Sequence, residues 1–175
     1  MIRVFLTGYM GAGKTTLGKA FARALKLSFI DLDWYIEERF CKSVSQIFAE
    51  RGEEGFRRLE RSMLHEVGEF EDVLISTGGG TPCFYDNMEY MNAQGQTVFL
   101  EVHPDVLYRR LKAATQQRPI LQGKSDDELR AFIADALEKR LPHYRQARYT
   151  FNGESLESHE QIDNSVEKLR LLLQL

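Results

Sequence analysis

Little in this sequence points to metal or redox chemistry held by cysteine. Cys41 and Cys83 are its two cysteines, far apart and without a CxxC, and the four histidines, His65, His103, His143 and His159, have no metal-ligand spacing. That usage excludes structural zinc and fits a reduced, cytoplasmic setting. Long apolar runs are missing too. From Met1 the chain enters Ile2-Arg3-Val4-Phe5-Leu6, short of both a signal peptide and the roughly 20 apolar residues of a transmembrane helix. The expectation is a protein that stays in the compartment where it is made. Neither sign of charge dominates: with 23 basic and 26 acidic residues the formal net charge is −3, which gives no whole-molecule attraction for nucleic acid or an anionic membrane. There is no basic stripe interleaved with aromatics, no internal repeat, no low-complexity tract and no linker. Any anion must therefore be held by local positive groups.

What is present is 175 residues, 43% of them apolar, enough for one sizeable core and too few for two ordinary domains. The uninterrupted apolar run Ile2 to Leu6 suits a strand buried on both faces of a parallel sheet. After a glycine-rich turn, Leu17, Ala20, Phe21, Ala24 and Leu25 share one face of a helix starting near Lys14. A second strand is expected over Ser28 to Leu32, then a charged helical stretch from Trp34 to about Phe70, interrupted at Arg51-Gly52. Further strands are read at Val73 to Ile75, Thr97 to Leu100 and Tyr149 to Phe151. Helices are read after His103-Pro104-Asp105, over Asp126 to Tyr144, and at the end to about Leu173. Strands alternating with helices make βαβ units, hence an α/β fold with a parallel sheet covered on both sides and ligands at the carboxyl ends of the strands.

Gly8-Tyr9-Met10-Gly11-Ala12-Gly13-Lys14-Thr15 matches G-x-x-x-x-G-K-[ST] between an expected strand and an expected helix, the context the motif needs. Such a loop wraps nucleotide phosphates with backbone N–H groups, at residues Gly11, Ala12, Gly13, Lys14, Thr15 and Thr16 here, and the helix adds the positive end of its dipole. Lys14 would reach the β and γ phosphates of ATP, and the Thr15 hydroxyl would ligate magnesium. No N-K-x-D guanine element occurs, and Val73-Leu74-Ile75 runs into Ser76 where a motor ATPase needs an acidic residue. A small-molecule kinase survives this elimination.

Asp31 and Asp33 stand two residues apart at a strand end, so in an extended chain both point toward the phosphates. Two like charges so close repel unless a cation is shared, and the nucleotide's magnesium supplies one. Asp31 would sit on the metal shell, and Asp33, further out, would take the proton of the acceptor hydroxyl. The plainer alternative is that one or both cap the helix expected from Trp34.

These features, with Gly55-Phe56-Arg57-Arg58-Leu59-Glu60, Ser76-Thr77-Gly78-Gly79-Gly80, Arg118-Pro119-Ile120-Leu121, and Arg140 with Tyr144 and Arg145, make an ordered set that resembles the shikimate kinases. The resemblance implies a three-layer α/β/α P-loop NTPase fold with a five-stranded parallel sheet. It also implies an acceptor-binding helical region at about residues 34–61, a lid at about 112–125, and a monomer. The implied reaction is phosphorylation of the 3-hydroxyl of shikimate by ATP. Arg57 and Arg140 would then hold the shikimate carboxylate, since a guanidinium fork suits a carboxylate, and Gly79 and Gly80 would let backbone approach the ligand. Phe48 and Phe56 would wall the ring, and Glu60 would hold Arg57. Ser76 would join Thr15 and Asp31 around the metal, Arg118 would close over the γ-phosphate, and Arg110, after a one-residue gap, would pack on adenine. Taken bare, Arg57, Arg58, Glu60 and Arg61 also read as an exposed salt-bridged helix.

Two departures stand out. Cys41 falls where the family usually has glycine, which puts the turn from Phe40 to Ser43 in question, and Asn152 to Ser158 lacks a proline-containing adenine loop. The competing readings are a gluconate-type or nucleoside monophosphate kinase on the same scaffold, or a nucleotide-binding regulatory module without catalysis.

Overall fold

A computed structural model describes residues 1–114 and 122–175. In chain order they form β1 (Arg3–Thr7), α1 (Lys14–Leu25), β2 (Ser28–Asp31), α2 (Leu32–Phe40), α3 (Val44–Gly68), β3 (Val73–Ser76), a 3-10 turn (Thr81–Cys83), α4 (Asn87–Gln94), β4 (Gln96–Glu101), α5 (Pro104–Ala113), α6 (Asp126–Tyr144), β5 (Tyr149–Asn152) and α7 (His159–Leu172). The strands pair in parallel in the order β2-β3-β1-β4-β5. The expected α/β layout with a five-stranded parallel sheet is what the chain adopts.

Every residue of β1 is buried, because alternate side chains enter different cores. Val4 and Leu6 pack in a cluster with Leu17 and Phe21 of α1 and Leu169 of α7, whereas Phe5 packs with Leu32 and Ile36 of α2 and Leu64 of α3. β3 divides likewise, with Leu74 in the first cluster and Val73 and Ile75 in the second. Helices thus cover both faces of the sheet, which is why the apolar run shows no alternation. The connection leaving β1 runs toward β2, and the one leaving β3 runs the other way toward β4. Between their carboxyl ends lies the crevice where such sheets hold ligands.

Two expectations about the second strand are corrected. β2 stops at Asp31, and Leu32 already belongs to α2, so that helix begins two residues before Trp34. Asp31 is the reason: its side chain accepts the N–H groups of Asp33 and Trp34, closing the first turn. α3 opens with a reciprocal capping box between Ser43 and Gln46. It breaks at Gly52 (φ 70, ψ 179), where the sequence shows its interruption. α4 and the 3-10 turn were not read from the sequence.

Cys41 ends α2 in the left-handed conformation, φ 52 and ψ 36. The turn therefore keeps the backbone a glycine would favour there, at a steric cost of roughly 1–2 kcal/mol to the cysteine.

Candidate active site

Gly13 is the N-cap of α1 at φ 98, with no side chain capping the helix and no acidic residue in its first turn. Its positive φ and the close Leu156, whose Cδ1 would lie 2.5 Å from an added β-carbon, both demand glycine. The first amides of α1 are consequently left for an anion. Lys14 folds back along the loop, its Nζ donating to the carbonyls of Gly8 (2.7 Å) and Tyr9 (3.0 Å). A cavity of about 370 Å³ opens above the loop, lined by Gly11, Gly13, Lys14, Thr15, Thr16, Asp31, Asp33, Ser76, Gly78, Gly79 and Arg110. Ala12, by contrast, is buried beneath the loop.

Thr15, Asp31 and Ser76, the three expected metal ligands, meet at one edge of this cavity. The Thr15 hydroxyl lies 3.5 Å from Asp31 Oδ2, and Asp31 and Ser76 are register partners across β2 and β3. Their donors are all oxygen, which suits a hard divalent cation. Among the described residues no cluster of three or more His, Cys, Asp or Glu side chains could hold a metal alone. The set fits a magnesium ion bound together with a nucleotide, for which Thr15, Asp31 and Ser76 would be the protein's donors.

The capping alternative applies to Asp31 rather than to Asp33. Asp33 lies in the first turn of α2, and a β-carbon on Gly78 would sit 3.1 Å from its Oδ1. Burial, then Glu60 and Asp31, raises its pKa from 3.8 to about 6, while Lys14 and Arg57 pull it down. One of those two cations comes from the phosphate loop and the other from α3.

On the far side, α3 carries Arg57 and Glu60 three residues apart, hence on one face. Arg57 Nη1 donates to Glu60 Oε1 at 2.8 Å, and Glu60, 1% exposed, accepts through Oε2 from the Thr81 hydroxyl at 2.7 Å. The guanidinium lies 4.2 Å from the Phe84 ring centre and 5.3 and 5.8 Å from those of Phe56 and Phe48. Phe48 and Phe56, expected as the wall, stack on each other at 4.4 Å. An added β-carbon on Gly80 would come within 2.6 Å of Arg57 Nη2, and one on Gly79 within 3.0 Å of Arg140 Nη1. Both arginines therefore face the triple glycine, and Arg140 also lies 5.5 Å from the Tyr9 ring centre. Cys83 stands in the same neighbourhood, its thiol pKa pushed up by burial. Arg58 and Arg61 form exposed pairs with Glu54 and Asp86, as the surface-helix reading holds.

Arg110 spans the loop between β5 and α7 and the phosphate loop. It donates to the carbonyls of Gly11, Ala12, Gly153 and Glu154 and to Glu157. With its edge donors so engaged, its flat face is what remains for a stacked base. Gly153 and Leu156 press on Ala12 and Gly13, so the stretch without proline still lies against the nucleotide cavity. Arg118 and the central part of the expected lid fall in residues 115–121, outside the described residues. Arg145 lines a separate cavity of about 270 Å³ behind the phosphate loop.

Sequence reasoning missed Thr81, Phe84 and Leu156, and gave Gly78 and Tyr144 no role. Gly78 and Tyr144 were inside quoted motifs, but the contacts of all five are long-range, and no spacing rule encodes them.

The model of the shikimate kinase family matches residues 10–170 of this chain. A shikimate kinase of Bacteroides thetaiotaomicron is 71% identical over 175 residues, all of both chains. A crystal structure of shikimate kinase from that organism superposes with a TM-score of 0.97 over 99% of each chain. The Acinetobacter baumannii enzyme, solved in complex with shikimate, is 31% identical with a TM-score of 0.85, over 99% of this chain and 94% of that one. A family match over most of the chain and relatives this similar along its whole length place it: the chain belongs to the shikimate kinase family.

Proposed function

We propose that this chain transfers the γ-phosphoryl group of ATP to the 3-hydroxyl of shikimate, giving shikimate 3-phosphate and ADP on the route to chorismate and the aromatic amino acids. It works with magnesium, as a single-domain cytoplasmic monomer. The described residues include no helix long and apolar enough to cross a membrane. The observation that carries the reading is the place of Asp33. Its carboxylate lies against Gly78 and feels the charges of both Lys14, from the phosphate loop, and Arg57, from α3, which supports a role for it between a bound triphosphate and an acceptor held by Arg57 and Arg140.

In this reading the triphosphate rests on the amides from Gly11 to Thr16, with Lys14 leaving the Gly8 and Tyr9 carbonyls for phosphate oxygens. Arg57 and Arg140 take the shikimate carboxylate, as a charged fork does best, and Gly79 and Gly80 admit the ring. The A. baumannii relative, crystallised with shikimate, supports that acceptor. Asp33 accepts the hydrogen bond of the 3-hydroxyl and receives its proton as the oxygen attacks phosphorus in line with the leaving ADP. Magnesium, when bound by Thr15, Asp31 and Ser76, supplies positive charge to the β and γ phosphates. Arg110 holds the adenine side. Residues 34–61 serve as the acceptor-binding region and 112–125 as the lid, whose Arg118 adds charge to the transferring group.

An ADP-release assay with a panel of acceptors tests this. Shikimate should accelerate turnover strongly over ATP alone, gluconate and nucleoside monophosphates should not, and EDTA should stop the reaction until magnesium is restored. Equal ADP release with and without shikimate would reject the reading and leave a nucleotide-binding module.

A further inference from the structure

We propose that Tyr144 is a positioning residue of the acceptor site: its hydroxyl fixes the Gly79–Gly80 peptide and steadies Arg140. The inference rests on the shikimate phosphorylation proposed above, and assigns a role to a side chain that does not itself touch the reacting groups.

Tyr144 is fully buried at the end of α6, its ring stacked on Phe99 of β4 at 5.1 Å, and its hydroxyl donates to the Gly79 carbonyl at 2.6 Å. Arg140 lies one helical turn earlier on the same face. Its guanidinium is close enough to the phenol to counter part of the upward pKa shift that burial imposes on it. That upward shift keeps the phenol a neutral donor throughout any working pH. Gly79 itself is wedged, since an added β-carbon would meet Arg140 Nη1 at 3.0 Å, the Gly8 carbonyl at 3.6 Å and the Met10 amide nitrogen at 3.7 Å. The phosphate loop, the acceptor glycines and Arg140 therefore converge where Tyr144 makes its hydrogen bond.

The geometry of the peptide unit gives this bond its consequence. All described peptides are trans, so the Gly79 carbonyl and the Gly80 N–H point in opposite directions within one rigid plane. Holding the Gly79 carbonyl from inside the core points the Gly80 N–H away from Tyr144, at a residue whose added β-carbon would meet Arg57 Nη2 at 2.6 Å. Glycine sets few limits on its own ψ, so the triple glycine would otherwise sample many orientations. One buried hydroxyl removes that freedom at the point where the acceptor would lie.

Tyr144→Phe keeps the ring on Phe99 and deletes the hydroxyl. The expected result is a shikimate KM raised about 5- to 10-fold, the scale of a lost buried hydrogen bond, with the KM for ATP within about twofold of the parent. Phe99→Leu is the packing control: it should lower the melting temperature and leave shikimate KM within about twofold. A folded Tyr144→Phe enzyme with unchanged shikimate KM overturns the proposal, as do equal rises in both KM values or a selective rise in Phe99→Leu. If Tyr144→Phe fails to fold while Phe99→Leu folds, the hydroxyl is a fold determinant and the proposal is likewise lost. Shikimate turnover by the parent enzyme in the same assay separates these failures from failure of the functional reading.

Discussion

Asp31 accepts the backbone N–H of Asp33 at 3.1 Å, so one carboxylate of the pair builds the turn that presents the other. The first is a helix cap beside a threonine hydroxyl; the second is drawn inward, against Gly78. Two residues of one type thus receive different chemistry from a single helix start.

Removing the inner carboxylate should separate catalysis from stability. Asp33→Asn is expected to lower kcat by about 10²- to 10⁴-fold, the usual share of a positioned acid or base. In metal-free, ligand-free protein the same change should raise the melting temperature at pH 7. The folded pKa, about 6, lies above the ordinary 3.8, so the folded state holds the proton more tightly and stability falls as pH rises from about 4 to about 6. Thermal melts in EDTA across that window check the sign: the parent should lose stability there and the variant should not.

The buried Arg57–Glu60 pair should be costly to break singly. Glu60 is 1% exposed, and Arg57→Met leaves its charge with the Thr81 hydroxyl but no guanidinium, a loss of about 3–5 kcal/mol for a broken buried pair. Adding Glu60→Leu removes the orphaned charge and should recover most of that in urea denaturation. Shikimate affinity should stay lost in both. Recovery of shikimate binding in the double variant would remove Arg57 from the acceptor site.

At Gly80 the constraint is space, not backbone strain. Its φ of −91 and ψ of −16 are open to any residue, while an alanine methyl would stand 2.6 Å from Arg57 Nη2. Gly80→Ala should therefore raise shikimate KM roughly tenfold, the scale of one charged hydrogen bond, with little change in melting temperature. A large stability loss without a KM effect would show that Arg57 yields freely.

Much of this molecule is local, and local features were readable. The phosphate loop is a contiguous string whose glycine at 13 takes the positive φ its helix start needs. β1 is a run of side chains buried on both faces, and α6 begins at a capping box and ends at Tyr144 as read. α4 escaped notice because its eight residues, Asn87 to Gln94, are few and their buried side mixes Met88 and Met91 with the polar Asn87; packing of the two methionines in the core is what stabilises it. The start of α2 was misplaced because a cap competes with the preceding strand for the same residue, and only the hydrogen bonds of Asp31 decide it.

By itself the sequence determined the strand-helix alternation, the anion-binding loop and the inventory of charged groups, since each depends on residues that are neighbours along the chain. Tertiary structure alone decided that Asp33 would be half-buried and feel the charges of both Lys14 and Arg57, that Thr81 would hold Glu60, and that Tyr144 would fix a glycine 65 positions away. Those relations arise from long-range packing, which brings groups into a shared low-dielectric space where their charges and hydrogen bonds act on one another.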